Sequence, residues 1–150
     1  MSVLVGFAPT PEGRAAIERA VAECAMRSAD LVVVVSQARP NPLVAEPAPV
    51  TAGDILSLLA ELGAADLPCT VQPSDPQMDF ADQVLEVADD PQVELIVIGL
   101  RRRSGSGKLI LGSSAQRILL EASCPVLAVK GVRVSIPADE GVPAGAREAL

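Results

Sequence analysis

The 150-residue chain contains no histidine, no tryptophan and no tyrosine, and each absence closes off some chemistry. Without histidine there is no imidazole general base, no histidine-activated serine or cysteine nucleophile and no neutral nitrogen ligand for a metal. Phe7 and Phe80 are the whole aromatic complement, so stacking platforms for single-stranded nucleic acid are missing and the core has to be aliphatic. The three cysteines, Cys24, Cys69 and Cys124, stand far apart with no Cys-x-x-Cys spacing. That speaks against a zinc or redox motif and for small buried side chains in a reducing compartment. No apolar run approaches the ~18 residues of a membrane span, and the first residues carry neither a basic stretch nor a long apolar one. The expectation is a cytoplasmic protein with no membrane partner.

What is present suits one domain with a full core: 49% of the residues are hydrophobic, and domains most often run to ~100–150 residues. The net charge is −7, which disfavours duplex nucleic acid as a partner. Its distribution is uneven. Residues 40–100 hold eleven acids and no base, whereas 101–133 hold seven bases and one acid, Glu121, a local charge of +6. A positive island on an acidic chain suits a small anion, although runs of charge also serve simply as solvated faces.

Hydrophobic periodicity alternates strands with helices. Residues 2–7 read as a short apolar strand, and Thr10-Pro11-Glu12 as a helix start with a capping hydroxyl, a proline in the first turn and an acid near the positive dipole end. That helix runs to about Arg27, with Ile17, Ala20, Val21 and Cys24 on one stripe. A second strand covers 31–35, and four prolines between 40 and 49 make 37–50 a surface loop. Thr51 opens a second helix, with Ile55, Leu58, Leu59 and Leu62 inward and Gly63 at its end. A short edge strand follows at 69–72. Asp75-Pro76 restarts helix with Met78, Ala81, Leu85 and Ala88 inward, and Asp90-Pro91 stops it. Residues 94–99 form the fourth and most apolar strand, expected to be central. Ser113, with Gln116 three residues on, reads as a capping box opening a helix to Ala122, and 125–129 is the fifth strand. This order calls for an α/β, doubly wound, five-stranded parallel sheet with helices on both faces, spanning 1–130 as one domain, with 131–150 as an extension.

In such sheets ligands lie at the carboxyl ends of the strands where the winding reverses, and the fourth strand empties into a glycine-rich basic stretch, Arg101-Arg102-Arg103-Ser104-Gly105-Ser106-Gly107-Lys108, before Gly112-Ser113-Ser114. Glycines admit backbone N–H groups to an anion, and a helix N-terminus presents unpaired donors. Two familiar phosphate motifs fail here. A P-loop needs glycine at Arg102 and serine or threonine at Leu109, and the dinucleotide fingerprint needs glycine at Ile110. Asp75 and Asp79 could form an acid pair, but Asp75 is placed to cap a helix, so no catalytic residue and no metal ligand is assigned.

Gly99, two residues, Arg102, nine residues, Gly112-Ser113, then Ala115-Gln116-Arg117-Ile118-Leu119 and Cys124-Pro125-Val126-Leu127, resembles the ATP motif and carboxyl-terminal end of the universal stress protein family. The resemblance is close over 99–129 and looser over about 130 residues. It implies the adenine nucleotide alpha hydrolase type of fold, a homodimer formed through 126–129, and ATP or AMP, with magnesium as an optional companion, at the ends of the first and fourth strands. Carried over, Ile98 and Gly99 flank the ribose, and Gly112, Ser113 and Ser114 hold phosphate. The chain departs from the family at two positions. Arg102 stands where the pattern has its middle glycine, and Ala8 where an acid usually ends the first strand; Arg102 could meet phosphate with its guanidinium instead. The function so implied is a nucleotide-responsive stress or signalling module. The alternatives are a nucleotide-independent dimeric interaction protein and, on the same fold, a slow ATP-hydrolysing enzyme.

Overall fold

The computed structural model describes residues 1–36, 43, 49–102 and 109–131, with the backbone alone at 102, 109 and 110. β1 (Ser2–Phe7) is the middle strand of the parallel sheet and is buried along nearly its whole length. It runs parallel to β2 (Asp30–Val35) on one side and to β4 (Val93–Arg102) on the other. β3 (Cys69–Gln72) flanks β2, and β6 (Val126–Lys130) flanks β4, both in parallel. The order is β3-β2-β1-β4-β6, and the two-residue β5 (Leu109–Ile110) pairs antiparallel with the end of β4.

Side-chain alternation splits the core in two. Val3, Val5, Leu31, Val33, Leu95 and Val97 meet α1 (Pro11–Arg27) and α2 (Ala52–Glu61) on one face. Leu4, Val34, Ile96 and Ile98 meet α3 (Phe80–Ala88) and α4 (Ser113–Glu121) on the other. Each aliphatic side chain buried in this way contributes about 1.5–3 kcal/mol, which is how a chain almost without aromatics holds together. The chain winds outward from β1 through β2 to β3, then returns to β4 beside β1 and continues to β6. The winding therefore reverses between β1 and β4, as a doubly wound α/β sheet requires, and a crevice opens at their carboxyl ends.

The helices begin where local chemistry allows. Thr10 Oγ1 accepts the Gly13 N–H at 3.1 Å, and α1 ends on Ser28 in the left-handed region (φ 54°), whose N–H donates to Cys24 O. α2 opens on a reciprocal box: Thr51 Oγ1 accepts the Asp54 N–H and Asp54 Oδ2 accepts the Thr51 N–H. Those two bonds, the backbone one first, hold the Asp54 carboxyl below its usual range. Gly63, at φ 74°, turns the chain away behind α2.

Several expectations need correction. α3 starts at Phe80 rather than after Asp75, because the Asp75 carboxylate accepts the Gln77 N–H at 2.8 Å in a local turn. Its inward face is Ala81, Val84 and Ala88, and Met78 lies before the helix. Ser113 is not a cap: Gly112 holds that position and no side chain caps α4, so the Ser113–Gln116 box does not form. The Gln116 N–H instead makes an ordinary helical bond to Gly112 O at 2.9 Å. β4 runs three residues past Gly99, because Arg101 and Arg102 find antiparallel partners in Ile110 and Leu109. The start of the basic stretch is thus a strand arm. β4 is interior, but the middle place belongs to β1. Most of the 37–50 loop, residues 103–108 and the 132–150 part of the extension lie outside the described residues. Among those described, no helix is long and apolar enough to cross a membrane.

Candidate functional site

The crevice holds a cavity of about 1140 Å³. Its floor is the ends of three strands: Gly6 and Phe7 from β1, Val35 and Ser36 at β2, Ile98 and Gly99 from β4. One wall is the first turn of α1. The opposite wall is the segment before α3 together with the N-terminus of α4.

Close backbone approach explains three glycines. A Cβ on Gly13 would run into the Ala8 carbonyl, and one on Gly99 into the Glu12 carbonyl. α1 can sit on the strand ends only because both positions lack a side chain. A Cβ on Gly6 would lie 2.7 Å from the tip of the Phe80 ring, so Gly6 makes room for the aromatic that lines the α3 side. Gly112 is different. Its backbone is ordinary (φ −65°, ψ 164°), and a Cβ there would meet none of the described residues within 4 Å. Neither conformation nor packing asks for glycine at 112. Behind it, the first N–H groups of α4 have no intrahelical acceptor and no side-chain cap, and the first turn carries no acid.

The cavity therefore brings together Ala8, Ile98, Gly99, Gly112, Ser113 and Ser114. Arg102 ends β4 beside Leu109, but its side chain lies outside the described residues. Ala8 adds a methyl group and no charge at the end of β1, while its carbonyl accepts the Thr10 N–H at 2.8 Å. Charged groups on the described lining are Glu12, Asp75 and Asp79 against Arg101, whose Nε lies 3.6 Å from Glu12 Oε1. Among the described residues no group of three or more histidine, cysteine or acidic side chains is arranged to hold a metal.

Sequence patterns did not point to the α3 wall. Gln83 pins it: its Nε2 donates to Pro73 O at 2.7 Å and its Oε1 accepts the Asp75 N–H at 3.3 Å. Arg117 of α4 then reaches Asp82 of α3 at 2.6 Å and holds the two helices together. The cysteines lie apart from this chemistry. Burial pushes the Cys24 thiol up to about 11, with the carboxylate of Asp30 adding to the effect, and burial also raises Cys69 and Cys124. All three are free thiols.

A crevice at a winding reversal, floored by strand ends and walled by helix N-termini, defines a doubly wound α/β domain with its cavity where such sheets place ligands. The universal stress protein family model matches residues 1–130, and the chain belongs to that family. It is 39% identical over 129 residues to a universal stress protein of Mycolicibacterium smegmatis, covering 85% of this chain and 96% of that one. Two solved universal stress protein structures from Archaeoglobus fulgidus share the fold. One has a TM-score of 0.64 at 24% identity; the other, in complex with dAMP, has 0.60 at 20%. Each pairing covers 87% of this chain and 98% of the other.

Proposed function

We propose that this chain binds an adenine nucleotide, ATP or AMP, in the crevice, and acts as a nucleotide-responsive stress or signalling module in the cytoplasm. The observation that carries the reading is Gly112: a glycine that, among the described residues, nothing in the fold requires, with open space before it and an uncapped helix behind it. Phosphate lies against the N–H groups at Gly112, Ser113 and Ser114, with Ile98 and Gly99 beside the ribose and Ala8 at the edge of the sugar site. Arg102 adds a charge-assisted contact to phosphate. Magnesium, where present, arrives with the phosphates. The dAMP complex of a family member supports the ligand class. Native mass spectrometry of gently purified protein tests the reading: a retained adenine nucleotide is expected, and a ligand-free protein that stays ligand-free when incubated with ATP and AMP contradicts it.

One observation favours a second reading, the nucleotide-independent interaction protein: the end of β1 presents the Ala8 methyl and no carboxylate to a sugar. In both readings the chain is a homodimer. Among the described residues β6 is an outer strand of the sheet with four half-buried apolar residues, and pairing with the same strand of a second copy would extend its ladder. Light scattering is expected to report a dimer that Ala128→Pro converts to a folded monomer; a monomeric wild type overturns the pairing.

A further inference from the structure

We infer that Arg101 is a phosphate-contacting residue whose availability is set by Glu12, so that this pair determines how strongly the site favours phosphate over bare nucleoside. The inference rests on the nucleotide reading above. Both side chains line the cavity. Gly99 and Arg101 alternate onto the face of β4 that looks toward α1, and the antiparallel bond partners at Ile110 fix the Arg101 backbone in the arm.

The two partners are unequally held. Glu12 belongs to the first turn of α1, its carbonyl is pressed against Gly99, and only 22% of its side chain is exposed. Arg101 is 74% exposed. The Nε–Oε1 separation of 3.6 Å is longer than a charge-assisted hydrogen bond, which lies near ~2.7–2.9 Å. An exposed, loose pair of this kind is easily exchanged. A phosphate group offers the guanidinium two oxygens in a bidentate arrangement that the present geometry does not give it. Arg101 therefore leaves Glu12 for phosphate when a phosphorylated nucleotide binds, and Glu12, held in place, competes for it. Among the described residues Arg101 is the one cation on the cavity lining, so this exchange is the site's described source of mobile positive charge.

The test is a double-mutant cycle read by calorimetry with ATP, AMP and adenosine. Arg101→Ala is expected to weaken ATP roughly tenfold and to leave adenosine unchanged. Glu12→Gln keeps size and hydrogen bonding but removes the competing charge, and is expected to tighten ATP roughly threefold. The decisive arm is Arg101→Ala combined with Glu12→Gln, which should bind ATP no better than Arg101→Ala alone, because Glu12 acts through Arg101. If Glu12→Gln tightens ATP equally in both backgrounds, Glu12 acts by its own charge and the exchange is refuted. If Arg101→Ala binds ATP like the wild type, the inference falls while the nucleotide reading stands. A wild type that binds none of the three overturns both.

Discussion

Three helices begin at the crevice, α1, α3 and α4, and the first and last of them use the same terminus in opposite ways. α1 is closed upon itself: Thr10 caps it, Glu12 neutralises its dipole, and Gly13 and Gly99 let its backbone lie against the strand ends. Among the described residues α4 has no capping side chain, no acid in its first turn and a glycine with empty space before it. On the proposed reading the terminus of α4 receives the ligand, while that of α1 is completed from within the chain. The glycines carry the same lesson. Those of α1 and its floor serve packing, and Gly112, on the proposed reading, gives access to phosphate.

The largest expected effect separates the glycines directly. Gly13→Val forces a side chain into the Ala8 carbonyl and should cost about 3 kcal/mol or more of stability, whereas Gly112→Val, which exchanges a favoured N-cap residue for a poorer one, should cost about 1 kcal/mol or less. Calorimetric melting of the two proteins checks this, and equal destabilisation would remove the distinction between them. A second substitution gives α4 the cap it lacks: Gly112→Asp adds a good capping side chain and should raise stability by only a few tenths of a kcal/mol. It also puts a carboxylate where phosphate is proposed to lie, so nucleotide binding should be lost while helicity, read by circular dichroism, is retained.

How much of this was legible beforehand follows from the range of the interactions. The cap at Thr10, the start of α2 at Thr51 and the turn at Gly63 rest on contacts within four residues, so local patterns revealed them. The start of α3 was misread because Asp75-Pro76 carries the same local signal as a cap, while the loop is held by Gln83 bonding to Pro73, ten residues away. Gly6 and Gly13 gave no warning of Phe80 or the Ala8 carbonyl, since those contacts form only after the strands and helices assemble. The grouping of Gly99 with Gly112 and Ser113 was readable from spacing, but the different duties of the two glycines were not.

Removing the cap of the closed helix should have a smaller effect than crowding it. Thr10→Ala is expected to cost about 1 kcal/mol, measured by urea unfolding, with nucleotide affinity unchanged. A large loss of affinity would mean that α1 also serves the ligand. At the far end of α1 a further effect is expected, confined to alkali. The Cys24 thiol titrates at an ordinary 9.0 when unfolded and near 11 when folded, so the folded state retains the proton. Stability should be level below pH 9 and fall as pH rises toward 11, and Cys24→Ala should flatten that fall. An unchanged alkaline profile in the variant would exclude Cys24 as its cause.

The claim that the open terminus of α4 is a phosphate site is met most directly by titrating AMP and adenosine into the wild type and Gly112→Val, at ligand concentrations reaching the millimolar range. The account predicts saturable heat for AMP with the wild type, weaker binding of adenosine, and loss of the AMP advantage in Gly112→Val. Equal AMP binding by wild type and variant, or no heat from the wild type with either ligand, would contradict it.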